Sequence, residues 1–443
     1  MKRVVFLSAL AIAASGMAWA EPGDLDGIAP ETDAVNTLST EARYSAGIFS
    51  SDADSYIDPR YYDPEIGTFL FLGGFPNGSN VDATDDPNYA LSLGLGHSFE
   101  SFYLGLFYGG SFVETGSTIV EKGGDATWTN NLALLIGMKN MGIRIDVVEN
   151  GATAAKQDES KWAYTDAPAV AVTWGTVMGR LAPYATVGFK LPDTDETAKI
   201  SSDGRMSVAA GAEYELNNGA GLGGEVKFAT IFASDFDGTA GKDDITGFGL
   251  KAYYSQTFDA GVIAVGIKPK LGLEFFGVNN NGNSTENIFR LGMGLDAGIR
   301  IRATEKLAFY TGAGLTFFEL TNTSNSDDTK ATSSTGVTGI TWNPETLTGT
   351  GNLGFGMTIA PTQNVVIGAG LNTILDKLFT VNLEDMKVSS GSWWGDAGNQ
   401  QNMVGAVTNL FDNITFDLTL SVKFGGKTGA AGTVTTETEE AVQ

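Results

Sequence analysis

From residue 88 onward the chain is written in a period of two. Tyr89, Leu91, Leu93 and Leu95 alternate with Ala90, Ser92, Gly94 and Gly96. Leu291, Met293, Leu295, Ala297, Ile299 and Ile301 alternate with Gly292, Gly294, Asp296, Gly298 and Arg300. Leu353, Phe355, Met357 and Ile359 alternate with Gly354, Gly356 and Thr358. Successive side chains of a strand point to opposite faces, so each set occupies one face. The runs are longer than the five or six residues usual in globular sheets and match the roughly 9–11 that cross a tilted bilayer. The face opposite the large residues is rich in glycine. Glycine weakens a water-facing strand, but a wall turned toward a lumen or a plug accommodates it. Aromatic residues gather at strand ends, among them Phe99, Phe102, Trp128, Trp174, Phe189, Tyr214, Phe275 and Phe317. Girdles of this kind mark the two interfaces of a membrane barrel.

Connection lengths sharpen the reading. Short turns fall at Ser98 to Glu100, Lys139 to Asn140, Thr176 to Gly179, Leu216 to Gly219, Phe258 to Gly261, Ala303 to Glu305 and Pro361 to Thr362. Long polar loops fall between them, at 75–88, 111–127, 149–166, 191–204, 232–245, 276–286, 319–349 and 374–412. Strict short–long alternation suits a barrel with turns at one rim and surface loops at the other. The expectation is an all-β fold, a transmembrane antiparallel β-barrel of about 14–16 strands. Its first strand, near 67–74, departs from the pattern, because Phe69, Leu70, Phe71 and Leu72 do not alternate. In the last long loop the spacing of Leu375, Leu378, Phe379 and Leu383 hints at a short amphipathic helix.

Composition narrows the function. With 52 acidic against 27 basic residues the formal charge is −25, which argues against nucleic acid as a partner. Zero cysteine excludes disulfides, thiol catalysis and Cys-ligated metal. A mean hydropathy of −0.01 suits a soluble protein and equally the average over a lipid face and a lumen face. Lys2 and Arg3, the apolar run Val4 to Ala14 and the small residues of Ala18-Trp19-Ala20 read as a signal peptide over 1–20, cleaved after Ala20. Residues 21–66 then form an N-terminal periplasmic or plug segment, 67–424 the barrel, and 425–443 a disordered tail of Gly, Thr, Ala and Glu.

With these features the chain resembles bacterial outer-membrane β-barrels of the porin type over residues 67–424. Phe416, Leu418, Leu420, Val422 and Phe424 resemble the C-terminal signal read by barrel assembly machinery, although Gly425 to Gln443 follow here where the family ends on the aromatic residue. The resemblance implies the outer membrane of a diderm bacterium, contact with its lipids, and a channel for small solutes. It leaves a homo-oligomer open. A narrower resemblance is to long-chain fatty-acid transporters, whose plug carries Asn-Pro-Ala. Of that motif Asp58-Pro59-Arg60 keeps the proline. This would imply a plugged barrel taking up hydrophobic ligands. A third reading is a surface adhesin or structural outer-membrane protein acting through its loops.

Little in the chain suits catalysis. His97 is the one histidine and lies on the lipid-facing parity beside a short turn. No cofactor or metal is expected: the acidic loop clusters Asp82, Asp85 and Asp86, then Asp235, Asp237, Asp243 and Asp244, then Asp327 and Asp328 match no ordered calcium pattern. The lumen parity is more informative. Its set includes Arg205, Glu213 and Glu225, and the candidate pore-lining residues Lys227, Lys251, Lys268, Lys270, Glu274, Arg290, Asp296, Arg300 and Arg302. Such an arc sets ion preference if it faces water and is silent if its members pair across strands. Trp393 and Trp394 in the long loop are candidates for contact with a sugar or lipid.

Overall fold

The computed structural model describes residues 40–50, 52–60, 67–77, 88–99, 101–115, 125–138, 141–155, 161–165, 168–195, 200–202, 204–216, 219–232, 243–280, 284–327, 346–382, 387–390 and 414–424. Two short helices come first, α1 (Thr40–Tyr44) and α2 (Asp52–Ser55). Strands follow: β1 (Thr68–Asn77), β2 (Asn88–Ser98), β3 (Phe102–Thr115), β4 (Asp125–Met138), β5 (Met141–Ala155), β6 (Lys161–Thr165), β7 (Ala169–Thr176), β8 (Leu181–Lys190), β9 (Asp193–Asp195), β10 (Ile200–Ser202). The remainder are β11 (Gly204–Glu215), β12 (Ala220–Phe232), β13 (Asp243–Asp259), β14 (Ile263–Asn280), β15 (Ser284–Thr304), β16 (Leu307–Asp327), β17 (Thr346–Thr362), β18 (Val365–Asn382), β19 (Lys387–Ser390) and β20 (Ile414–Phe424).

Every pairing is antiparallel, and β1 pairs with both β2 and β20, so the sheet closes on itself. Of its 18 strands, β6 pairs only with the outer end of β5 and β19 only with that of β18, which leaves a wall of sixteen. β9 and β10 form a separate ribbon. The short turns lie at one rim. There Gly219 and Gly261 take φ of +74° and +86°, a left-handed backbone that a side chain would strain, and Leu216 N donates to Ala220 O at 2.9 Å across the hairpin.

The period of two has the anticipated consequence. Leu93, Leu95, Leu104, Leu106, Leu132, Val172, Leu250, Phe275, Phe355 and Leu371 all stand exposed on the outer wall. An apolar surface this continuous would be unstable in water and is the surface that lipid tails solvate in a transmembrane barrel. Phe99, Phe102, Trp174, Tyr214, Phe258 and Phe424 are exposed near the short-turn rim. His97 sits among them on the outer face, 2.8 Å from Thr68 Oγ1 through Nδ1 and edge-on to Phe99, which stacks on Phe102. The proposed assembly residues Phe416, Leu418, Leu420, Val422 and Phe424 share the outward parity of β20, with Phe416, Leu418 and Phe424 exposed.

Two expectations change, and the irregular first strand is explained. Strands run further into the long-loop side than the alternation suggests: β15 and β16 have 21 residues each, about 70 Å at 3.4 Å per residue and far beyond a hydrocarbon core of about 30 Å. The helix suggested at Leu375 to Phe379 is strand β18 instead. Its register against β17 jumps from Leu375↔Gly351 to Phe379↔Gly349, so a bulge imitates the three- and four-residue spacing of a helix. Finally, the first strand fails to alternate because both its faces are apolar. Leu70 and Leu72 face outward, while Phe69 and Phe71 are buried inward.

Candidate functional site: the filled lumen

Phe69 and Phe71 are buried because the lumen holds chain. Tyr56 and Ile57 pack into one cluster with Phe69, Phe71, Tyr103, Phe107, Ala133 and Leu135. The Tyr56 ring meets Phe69 edge-on at 4.5 Å. A second cluster joins Tyr44, Ile48 and Phe49 to Ala264 and Tyr310. Residues 40–50 and 52–60 therefore lie against the inward face of the wall in the half nearer the short turns.

The glycine-rich parity is the seat for this segment. A Cβ added at Gly312 would lie 2.3 Å from the Ser45 carbonyl carbon, and one at Gly354 would lie 2.6 Å from Tyr44 Cα. Backbone meets backbone at these positions, so no rotamer change relieves the contact. Gly142 takes Pro59 in the same way, Gly266 takes Ile48, and Gly356 and Gly370 hold the Tyr44 ring. Further from the short turns, a Cβ at Gly272 on β14 would meet nothing.

Local structure shapes the segment. Ala46 and Gly47 adopt φ of 50° and 68°, ending α1 and reversing the chain, and Gly47 N donates to Ala42 O at 2.8 Å. Ser45 Oγ accepts from Phe49 N at 2.9 Å. Polar groups then tie the segment to the wall. Tyr44 donates to Asp417 on β20, and Tyr310 donates to Glu41 at 2.9 Å. Arg144 donates to the Ile57 carbonyl at 3.2 Å while its Nε donates to Asp146 at 2.9 Å. Lys423 Nζ stands 5.3 Å from the Tyr56 ring centre. Because β20 carries both Asp417 and Lys423, the strand that closes the barrel also grips what fills it.

Arg60 marks the most polar contact. Its Nε and Nη2 donate to Asp58 at 3.0 and 2.6 Å. Nη1 reaches Glu213 at 3.6 Å, and the guanidinium lies 5.0 Å from the centre of the Tyr184 ring. Tyr184 donates to Glu225 at 2.7 Å, and Tyr253 donates to Glu213.

Of the residues expected to line a pore, Lys227, Lys251, Lys268, Lys270, Glu274, Asp296, Arg300 and Arg302 lie on the inward parity, and several are paired. Lys270 donates to Asp296 at 2.8 Å, Arg300 to Asp259 at 2.7 Å, and Arg302 reaches the same carboxylate at 3.9 Å. Lys268 is buried over the Tyr253 ring at 4.5 Å, and Arg300 lies over Phe49 at 4.9 Å. Glu274 is buried, and Lys227 and Lys251 are half-buried. Arg290 belongs to β15 with its side chain outside the described residues, where Trp393, Trp394, residues 1–20 and 425–443 also fall. Among the described residues no group of three His, Asp or Glu could hold a metal ion, and no helix is long and apolar enough to cross a membrane. Sequence reasoning passed over Tyr44, Arg60, Tyr184, Tyr253 and Tyr310. For Tyr44, Arg60, Tyr184 and Tyr253 the signal available was the inward glycines that make their room.

No protein-family profile and no curated protein matches the chain. Among solved structures, a bacterial polysaccharide outer membrane secretin aligns at 10% identity over 82% of this chain and 100% of that one, with a TM-score of 0.43. CymD, a monoaromatic hydrocarbon channel, aligns at 13% identity over 88% and 98%, with a TM-score of 0.39. The trimer form of OmpT, an outer membrane protein of Vibrio cholerae, aligns at 9% identity over 81% and 98%, with a TM-score of 0.35. Superpositions this loose establish neither a shared topology nor a shared solute.

Proposed function

We propose that the protein is an outer-membrane β-barrel channel for small solutes whose lumen is closed by its own residues 40–60. The observation that carries this is the seating of Tyr44 and Ser45 on Gly312 and Gly354, backbone against backbone. A wall built for an open water path has no need to remove side chains where one chain segment happens to lie. The polar ties at Glu41, Tyr44, Ile57 and Arg60 hold the segment without covalent attachment, so it can be displaced. Planar-bilayer conductance tests the reading. The full chain should conduct poorly, and a chain lacking residues 40–60 should open a large, steady conductance. Equal conductance of the two would refute closure by the segment.

A second reading is uptake of hydrophobic molecules, favoured by Phe69, Phe71, Tyr103 and Phe107. Displacing Tyr56 and Ile57 would uncover this aromatic surface inside the barrel. Saturable binding of an apolar fluorophore to the shortened chain, lost on Phe69→Ser and Phe107→Ser, would support it.

A further inference from the structure

Around Arg60 the wall contributes Tyr184 and Glu213, braced by Glu225 and Tyr253, from four neighbouring strands. Tyr184 comes from β8, Glu213 from β11, Glu225 from β12 and Tyr253 from β13. The guanidinium lies over the Tyr184 face, where the ring quadrupole attracts a cation. Glu213 is 3.6 Å from Nη1 and is held by the Tyr253 hydroxyl, while Glu225 is held by the Tyr184 hydroxyl. Each carboxylate is thus fixed by a wall residue and does not depend on the segment for its position.

Space for the group is built in as well. A Cβ at Gly175 would lie 2.5 Å from Arg60 Cγ, one at Gly211 would lie 2.5 Å from the Tyr184 hydroxyl, and one at Gly223 would lie 2.2 Å from the Tyr253 hydroxyl. Three inward glycines on β7, β11 and β12 each clear room for one member of the box. On its other side Arg60 is held by Asp58 of the same segment through two donors, so the segment supplies the cation already oriented. A planar fork matched to carboxylates and stacked on an aromatic face distinguishes guanidinium from a point-charge ammonium.

We propose that Tyr184, Glu213, Glu225 and Tyr253 form a guanidinium-binding site of the lumen wall, occupied in cis by Arg60, for which a guanidinium-bearing solute competes. The competition rests on the reading of residues 40–60 as the element that closes the lumen. Entry of such a solute releases the segment at this point, so the site couples solute recognition to opening.

Two measurements with guanidinium chloride at millimolar concentration, each against equal sodium chloride, test this. In Arg60→Ala the melting temperature of the folded barrel, read from its heat-modifiable gel migration, should rise saturably with guanidinium alone, since a ligand that binds only the folded form stabilises it. Adding Glu213→Gln should raise the half-saturating concentration about tenfold or more, the loss of one charge-assisted contact. In the unsubstituted protein, guanidinium should raise the open probability saturably, and this arm stands even where Arg60→Ala does not fold. Identical responses to the two salts in both arms, or a half-saturation unmoved by Glu213→Gln, would overturn the site. A shortened chain that conducts no better than the full one would overturn the closure reading alone and leave the melting arm to decide the site.

Discussion

From β1 to β4 the inner wall offers the segment Phe69, Phe71, Tyr103, Phe107, Ala133 and Leu135. From β8 to β13 it offers Tyr184 and Glu213, braced by Glu225 and Tyr253. The first arc holds Tyr56 and Ile57 by apolar burial, which has no direction and scales with area at about 25 cal/mol per Å². The second holds Arg60 by charge-assisted and cation–π contacts, which demand distance and angle. The two are separated in the segment only by Asp58 and Pro59. Adhesion and position are therefore assigned to different arcs, and a solute able to displace the polar contact can loosen the segment while the apolar contact still tethers it.

Five substitutions probe that division. Phe107→Ala should have the largest effect, about 3–5 kcal/mol of barrel stability as for a buried aromatic. The cost should shrink in the chain lacking residues 40–60, where Tyr56 and Ile57 are already gone. Equal costs in the two chains, measured by urea unfolding in detergent, would break the assignment of adhesion to this arc. Gly312→Leu should follow, costing the docked segment about 1–3 kcal/mol by overpacking and raising conductance toward that of the shortened chain. Gly272→Ala, with nothing within 4 Å of its added Cβ, should change neither.

Glu213→Gln removes the carboxylate charge 3.6 Å from Arg60 Nη1 and is expected to raise open probability several-fold while shifting the melting temperature little. The reverse order would place adhesion, and not position, in the charged arc. Lys270→Met should leave open probability nearly unchanged, because Lys270 pairs with Asp296 on β15 and not with Arg60. Open probabilities of the two variants, compared side by side, check the distinction.

Much of the wall was legible in the sequence because a lipid face and a period of two leave a strong signal. Leu93 and Leu95, or Phe416 and Leu418, could be assigned their face from parity alone. The filling of the lumen was harder to read, for a physical reason. Residues 40–60 have almost no periodicity, and some of their contacts are with residues hundreds of positions away, as with Tyr44 and Asp417. Two traces were nevertheless present. The run Phe69 to Leu72 is apolar on both faces, and the inward parity carries glycine where a water path would tolerate polar side chains. Pairing of Lys270 with Asp296 and of Arg300 with Asp259 could not be read from spacing, since it depends on cross-strand register. The bulge at 375–379 misled in the opposite direction, lending a strand the spacing of a helix.

The absence of native cysteine allows one decisive measurement. A Cβ at Gly266 would stand 3.4 Å from Ile48 Cβ, close to the roughly 3.5–4.5 Å separation that a disulfide bridges. The pair Ile48→Cys and Gly266→Cys should form an intramolecular disulfide in the folded barrel and lock the segment in the lumen. Planar-bilayer conductance should then be minimal under oxidation and rise with bursts of opening when reductant is added. A bond that fails to form in the folded barrel, or a conductance indifferent to reduction, would contradict closure of the lumen by residues 40–60.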